Sequence, residues 1–173
     1  MTSVQAVPLD APTDAAFTAA VAPLFEGAPR FLGRLAAVRP CATFDELIER
    51  ARAVAHAMPE AEQLELIDAH PRLGAPPGTV SALSYGEQGY DRDSTAPVDI
   101  AAALERANET YEAYFGFRYC VFVAGRSREA LLPDMAAALE RDRAFEIERA
   151  LDAVVDIACD RAKKLVSMDG ETT

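Results

Sequence analysis

The sequence is poor in the residues that build metal centres, disulfide frameworks and membrane spans. Its 173 residues include two histidines, three cysteines and no tryptophan. Two histidines are too few for a typical catalytic zinc site, and three widely spaced cysteines predict neither paired disulfides nor a zinc knuckle. No apolar run is long enough to cross a bilayer, and the chain does not start with the pattern of a signal peptide. We therefore expect a cytoplasmic protein that holds no metal and does not enter a membrane.

Basic residues are also scarce. The chain carries 17 Lys and Arg against 28 Asp and Glu, which gives a formal net charge of −11. A protein this acidic repels the phosphates of DNA and RNA, which excludes nucleic acid as an expected partner. An anionic small-molecule substrate would need a cavity that is locally positive.

The residues that are abundant favour α-helices. Half of the residues are apolar, alanine is frequent and β-branched residues are sparse, as in many helical proteins. Length and hydrophobic periodicity predict an all-α fold: a single compact domain of seven to eight helices at 13–168, between a loose N-terminus (1–12) and a tail (169–173). The predicted helices are 13–25, 28–38, one opened by a capping box of Thr43 and Glu46, 59–70, 84–88, 97–115, 127–139 and 143–166, with 89–96 irregular.

One short segment near residues 119–124 breaks the helical pattern. It is aromatic and β-branched, and Gly116 and Gly125 flank it, which predicts a buried extended piece. A single extended piece cannot form a sheet, so its backbone groups need other partners. Either the segment lines a cavity and its backbone binds the amide groups of a ligand, or it is simply part of the hydrophobic core. Its residues are Tyr119, Cys120, Val121, Phe122, Val123 and Ala124.

His70 is the first candidate for chemistry. It ends a predicted helix, because the following Pro71 disfavours helical geometry in the residue before it. A Gly- and Pro-rich loop comes next, which turns the imidazole towards a cleft. Its ordinary pKa is close enough to neutrality for proton transfer. The alternative is a histidine that only caps the helix C-terminus.

The turn Ser84-Tyr-Gly-Glu-Gln88 is the second candidate. It places a hydroxyl, a carboxylate and a carboxamide within one helical turn, with Ser84 and Gln88 on one face and Glu87 beside them. Such a turn can bind a flat polar heterocycle through hydrogen bonds. The alternative is an ordinary capping box, with Ser84 as the N-cap and Glu87 at N3.

Arg161 is the third candidate. It lies seven residues after Val154, on the apolar stripe of the last helix. A guanidinium in that position must extend to solvent, pair with an acid or bind an anion.

Several short motifs occur in an order that resembles one family. They are Arg39-Pro40, His70-Pro-Arg-Leu-Gly74, Ser84-Tyr-Gly-Glu-Gln88, Asn108-Glu-Thr-Tyr111 followed by Phe115-Gly-Phe117, and Gly125-Arg-Ser127, with Ile157 and Arg161 in the closing helix. The ordered set resembles the 2-oxo-4-hydroxy-4-carboxy-5-ureidoimidazoline (OHCU) decarboxylases. One departure is Arg118, which stands where many members have proline.

The resemblance implies an all-α lyase that needs no cofactor, is often a homodimer, and makes (S)-allantoin from OHCU in urate breakdown. It implies that His70 and Glu87 are catalytic. The substrate contacts that it implies are Pro71, Ser84, Tyr85, Gly86, Gln88, Tyr119, Cys120, Val121, Phe122, Val123 and Arg161. On this hypothesis the substrate's adjacent carbonyl or imine accepts the electrons left by CO₂.

The same hypothesis gives each group a task. His70 is the general acid that protonates one face, and Glu87 holds the substrate's hydroxyl. Gln88 and the backbone of the extended segment bind the ureido and ring amides of the substrate.

Two other functions stay open from the sequence. One is a helical interaction module without catalytic activity. The other is a lyase or hydrolase that acts on a related ureido compound.

Overall fold

The computed structural model describes residues 7–90 and 98–169, with side chains through residue 165. Within those residues the fold is all-α, as predicted, with eight α-helices and no strand. Two short 3-10 helices, Ala22–Phe25 and Pro77–Thr79, complete the helical elements. The α-helices are α1 (Asp14–Val21), α2 (Pro29–Ala37), α3 (Phe44–Ala57), α4 (Glu60–Asp68), α5 (Ala82–Glu87), α6 (Val98–Phe115), α7 (Arg128–Ala138) and α8 (Arg143–Asp169).

Side-chain caps start several of these helices. At α3, Thr43 accepts a hydrogen bond from the Glu46 N–H at 3.1 Å, as the predicted capping box requires. The Glu46 carboxylate accepts from the N–H of Ala42, one residue before the N-cap. At α5 the N-cap is Ser81. The alternative that makes Ser84 the N-cap is therefore wrong, and the Ser84 hydroxyl is available for other bonds.

Helix α8 is the central element of the core. Its 27 residues make a rod about 40 Å long that packs against α3, α4 and the 3-10 helix Ala22–Phe25. Ala150, Val154 and Ala158 on one side of α8 are fully buried. Arg161 shares that side and is 1% exposed. The packing of α8 therefore brings a guanidinium into the protein interior.

The chain leaves the predicted pattern at its first helix. The helix expected at 13–25 becomes a 3-10 helix at Ala22, and Glu26 and Gly27 then take left-handed φ values of 52° and 74°. Val7 and Ala11 are buried in the core, so this part of the predicted loose N-terminus is packed. Residues 1–6, 91–96 of the predicted irregular stretch, and 170–173 of the predicted tail lie outside the described residues.

None of the helices in the described ranges combines the length and the apolar character needed to cross a membrane.

Candidate functional site

A cavity of about 430 Å³ lies between α5, the end of α8, the loop after α4 and the extended segment. Twelve of the thirteen predicted site residues line it: His70, Pro71, Ser84, Gly86, Glu87, Gln88, Tyr119, Cys120, Val121, Phe122, Val123 and Arg161. Leu73, Ala124, Gly125, Ile157, Asp160 and Lys164 complete the lining. Tyr85 is the exception, because its ring stacks on that of Tyr90 at 5.3 Å between centroids and is not part of the lining.

His70 reaches the cavity because α4 ends early. The helix stops at Asp68, two residues before the predicted end, and the His70 N–H still bonds the Ile67 carbonyl at 3.1 Å. The imidazole is buried at 4% exposure. Its Nδ1 lies 3.2 Å from the Leu66 carbonyl oxygen.

That contact assigns the tautomer of His70. A carbonyl oxygen only accepts hydrogen bonds, so Nδ1 carries the hydrogen and Nε2 carries a lone pair in the neutral ring. Among the described residues, no group bonds Nε2, although this atom is buried. An unpartnered acceptor in a cavity wall is a group that a ligand can satisfy.

Burial also changes the charge of His70. Desolvation, with the nearby Arg161 charge as the second cause, lowers the pKa of His70 from 6.5 to about 4. The pKa of His70 in the folded protein therefore lies well below the ordinary value of histidine. At neutral pH the imidazole is uncharged and able to accept a proton.

Arg161 and Glu87 form a two-point ion pair across the cavity wall. The guanidinium Nε donates to Glu87 Oε1 at 2.6 Å, and Nη2 donates to Oε2 at 2.9 Å. Nη1 donates to the Pro23 carbonyl at 2.8 Å. Of the three options for Arg161, pairing with an acid is the one that the structure shows. Burial raises the pKa of Glu87 above its ordinary value, although Arg161 acts in the opposite direction.

A second carboxylate, Glu26, binds the same guanidinium and was not predicted. Its Oε1 lies 2.7 Å from Arg161 Nη2 and also accepts hydrogen bonds from Ser81 and Ser84. Burial opposes ionisation of Glu26, but the bonds from Ser84 and Arg161 outweigh it and hold the pKa below its ordinary value. The only local signal is an acid between Phe25 and Gly27 in an apolar stretch.

Gln88 connects α5 to the loop after α4. Its side-chain oxygen accepts from the Gly74 N–H at 2.8 Å, and its amide nitrogen donates to the Arg72 carbonyl at 3.1 Å. One amide hydrogen stays available to a ligand. The side chain therefore holds the loop that carries His70 and Pro71 while it lines the cavity.

Arginine side chains bind backbone carbonyls of the extended segment. Arg149 donates to the Cys120 carbonyl at 2.9 Å, and Arg126 donates to the Phe122 and Val123 carbonyls. Within the described residues no acceptor bonds the N–H groups of 119–123, and all five of these residues line the cavity. This pattern favours the first of the two predictions for the segment, a cavity lining with ligand-binding backbone.

Arg118 joins the segment to the end of α4. Its backbone N–H donates to Asp68 Oδ1 at 2.8 Å, and its guanidinium donates to the Asp68 and His70 carbonyls. A proline at this position has no N–H and could not make the first of these bonds. Arg118 thus supports the backbone of His70 directly.

Metal-binding side chains are not grouped at this site. Across the described parts of the chain, no cluster of three His, Cys, Asp or Glu residues is placed to hold a metal ion.

Comparison with known proteins places these features in a family. Residues 10–163 match the family model of OHCU decarboxylase. The chain is 28% identical over 145 residues to the 2-oxo-4-hydroxy-4-carboxy-5-ureidoimidazoline decarboxylase of Haloferax volcanii, covering 84% of this chain and 86% of that protein. It is 30% identical over 149 residues to the uric acid degradation bifunctional protein PucL of Bacillus subtilis. That match covers 86% of this chain, which spans only 30% of the length of PucL.

Two solved structures share the fold. An OHCU decarboxylase crystallised in the presence of (S)-allantoin superposes with a TM-score of 0.66 at 23% identity, over 82% of this chain and 93% of that chain. An (S)-allantoin synthase superposes with a TM-score of 0.67 at 16% identity, over 95% of this chain and 54% of that chain. The family match extends over most of the chain and includes all thirteen predicted site residues. It confirms the family predicted from the motifs: the chain belongs to the OHCU decarboxylase family.

Proposed function

We propose that this chain decarboxylates OHCU to (S)-allantoin in urate degradation. Family membership supports this activity, and the names of the Haloferax and Bacillus relatives point to the same reaction and pathway. The observation that carries the proposal is the arrangement of the cavity. A neutral imidazole with a free Nε2 lines the same space as the Glu87–Arg161 pair and a row of unbonded backbone N–H groups.

The chemistry needs an electron sink and one proton transfer. When the bond between ring carbon 4 and the carboxylate breaks, its electron pair forms a double bond between ring carbons 4 and 5. The π electrons of the adjacent ring C=N bond move onto the nitrogen, which takes a proton from solvent. The product at that stage is an enol. It becomes a ketone when the hydroxyl loses its proton and the neighbouring ring carbon gains one.

We assign this last transfer to His70. Its Nε2 lone pair accepts the hydroxyl proton as general base, and the imidazolium then delivers that proton to the ring carbon as general acid. The sequence predicted the acid role alone, but the tautomer requires that His70 first takes a proton. Because burial makes the His70 imidazolium a stronger acid than an exposed one, return of the proton is favourable. Delivery from one wall of the cavity accounts for a single enantiomer.

The other groups hold the substrate. Glu87 retains lone pairs beyond those that bind Arg161, so we place the ureido or ring N–H groups against it. This changes the predicted task of Glu87, since His70 already takes the hydroxyl. Those N–H groups of 119–123 that point into the cavity donate to the substrate's carbonyl oxygens. Arg161 acts through Glu87, because each of its nitrogens already donates to protein oxygens.

Circular dichroism tests this function directly. Substrate is generated from urate in the presence of the protein, and the optical activity of the allantoin is followed over time. Spontaneous decay gives racemate, so the expected result is an enantiomeric excess that His70→Asn abolishes. His56→Gln, at the chain's only other histidine, is the matched control and should keep full activity.

Each failure of this assay has its own meaning. Racemic product from the unmodified protein would refute the decarboxylase and favour a helical interaction module. Full-speed formation of (S)-allantoin by His70→Asn would refute the role of His70 alone. Turnover of another ureido compound, with poor turnover of OHCU, would identify a related lyase or hydrolase.

Two further expectations stay predictions. A cytoplasmic location follows from the cysteine content, and Cys41, Cys120 and Cys159 are all free. A homodimer follows from the resemblance alone, and light scattering of the purified protein would test it.

A further inference from the structure

One guanidinium in the wall of the cavity binds two carboxylates, Glu87 in the lining and Glu26 outside it. Arg161 is 1% exposed, while the Glu26 and Glu87 side chains are 15% and 11% exposed. The three charges sum to −1 when both acids are ionised. Two acids that share one cation cannot both be fully neutralised, so one of them has the higher affinity for a proton.

The hydrogen bonds are distributed unequally between the two acids. Glu26 accepts from Arg161 and from the hydroxyls of Ser81 and Ser84. Glu87 accepts from Arg161 alone among the described residues. Hydrogen bonds to the charged form stabilise it, so Glu26 holds its negative charge and Glu87 is the acid that responds to the cavity's contents.

We propose that Glu26 is a positioning residue for the reaction: it draws part of the Arg161 charge away from Glu87 and binds the Ser84 hydroxyl hydrogen, so that Glu87 meets the substrate as a proton-responsive acceptor. This inference rests on the proposed function. Glu26 itself is not part of the cavity lining, so it acts through Arg161 and Ser84 rather than by touching substrate.

The other charged groups around Glu87 are few. Lys164 and Asp160 on α8 line the same cavity and pair with each other at 2.6 Å. His70 faces the cavity from the loop after α4. A change at Glu26 leaves these side chains in place, but it also removes a negative charge that raises the pKa of His70, so the effect on Glu87 is read from the Glu87 carboxyl itself.

The test compares Glu26→Gln with the unmodified protein by carbon NMR of labelled glutamate carboxyls. Loss of a signal in Glu87→Gln assigns the Glu87 titration without any substrate. With Glu26 uncharged, Arg161 is left to Glu87, and the Glu87 midpoint should fall by about one pH unit. Glu26→Asp keeps the charge and should keep the midpoint. Glu62→Gln, which removes a carboxylate paired with Arg34 on the surface, is the matched control and should change nothing.

Activity provides the second readout. The limb of the kcat/KM pH profile that reports Glu87 should move to lower pH in Glu26→Gln by the same amount as the NMR midpoint. An unchanged Glu87 midpoint, or lower stability with an unchanged profile, would overturn the positioning role. A shifted midpoint in a protein that makes no (S)-allantoin at any pH would instead overturn the proposed function and leave the effect of Glu26 on Glu87 intact.

Discussion

The low pKa of His70 predicts a specific loss of stability in mild acid. The imidazole is buried, and its pKa falls from 6.5 to about 4 on folding. Between these values the unfolded chain binds a proton that the folded protein does not. The contribution of His70 to stability is therefore greatest above pH 6.5 and declines as the pH falls towards 4, because proton binding to His70 favours the unfolded state.

The size of the effect follows from the two pKa values. The full difference corresponds to about 3 kcal/mol. At pH 7 this titration lowers the free energy of unfolding by almost nothing, and at pH 5 the linkage relation gives a loss of about 2 kcal/mol. His70→Asn removes the titrating group. The unmodified protein should therefore lose about 2 kcal/mol more than His70→Asn between pH 7 and pH 5.

Urea denaturation of both proteins at both pH values gives the free energies of unfolding. Subtracting the loss in His70→Asn from the loss in the unmodified protein removes the contribution of the carboxylates. Imidazole NMR in a His56→Gln background gives the His70 midpoint independently, since only one histidine then remains. Equal losses in the two proteins, or a midpoint near 6.5, would show that folding does not lower the pKa of His70. The resting base form on which the proposed mechanism depends would then be refuted.

Three further substitutions test the surroundings of the site by urea denaturation. Arg161→Met leaves two buried carboxylates without their cation, so unfolding should become easier by about 3–5 kcal/mol; a loss below about 1 kcal/mol would contradict the buried pair. Tyr111→Phe removes a 2.7 Å hydrogen bond to the fully buried Glu146 and should cost about 1–3 kcal/mol with kcat/KM unchanged. Gly74→Ala puts a Cβ 2.9 Å from Leu104 Cδ1 at a φ of +79° and should cost about 1–3 kcal/mol; unchanged stability would show that the loop adapts.

Local sequence signals predicted the helices well. Thr43 and Ser127 cap α3 and α7 where the sequence places them, because capping depends on residues only three positions apart. Gly116, with a φ of +82°, ends α6 for an equally local reason. Pro71 follows the end of α4, although the helix stops two residues earlier than expected.

The partners of Arg161 could not be predicted in this way. Its place on an apolar stripe shows that it needs an acid or an anion, but the choice depends on folding. Glu87 is 74 residues away and Glu26 is 135. Glu26 directly follows the predicted helix 13–25, where the chain passes from a 3-10 helix into a left-handed turn, and no local pattern marked it as a site residue. Only the folded chain shows that this acid binds Arg161 beside the cavity.

Tyr85 was predicted as a substrate contact but does not line the cavity. The motif groups it with Ser84 and Glu87, but a helical turn points neighbouring side chains in different directions. Tyr85 stacks on Tyr90, and its hydroxyl donates to the Tyr90 carbonyl. Membership in a motif therefore did not place the side chain in the cavity.

The charge of the cavity bears on how it would catalyse a decarboxylation. The sequence suggested that an anionic substrate needs a locally positive space. Among the described lining residues, however, the cations are Arg161 and Lys164, and each is paired with an acid. A free cation would bind the substrate's carboxylate strongly and oppose its departure as neutral CO₂. Interactions accelerate a reaction only when they are stronger in the transition state than in the bound substrate. A cavity meets that requirement when amides and a carboxylate bind the ring and the departing group has no strong partner. A positively charged cavity meets it less well.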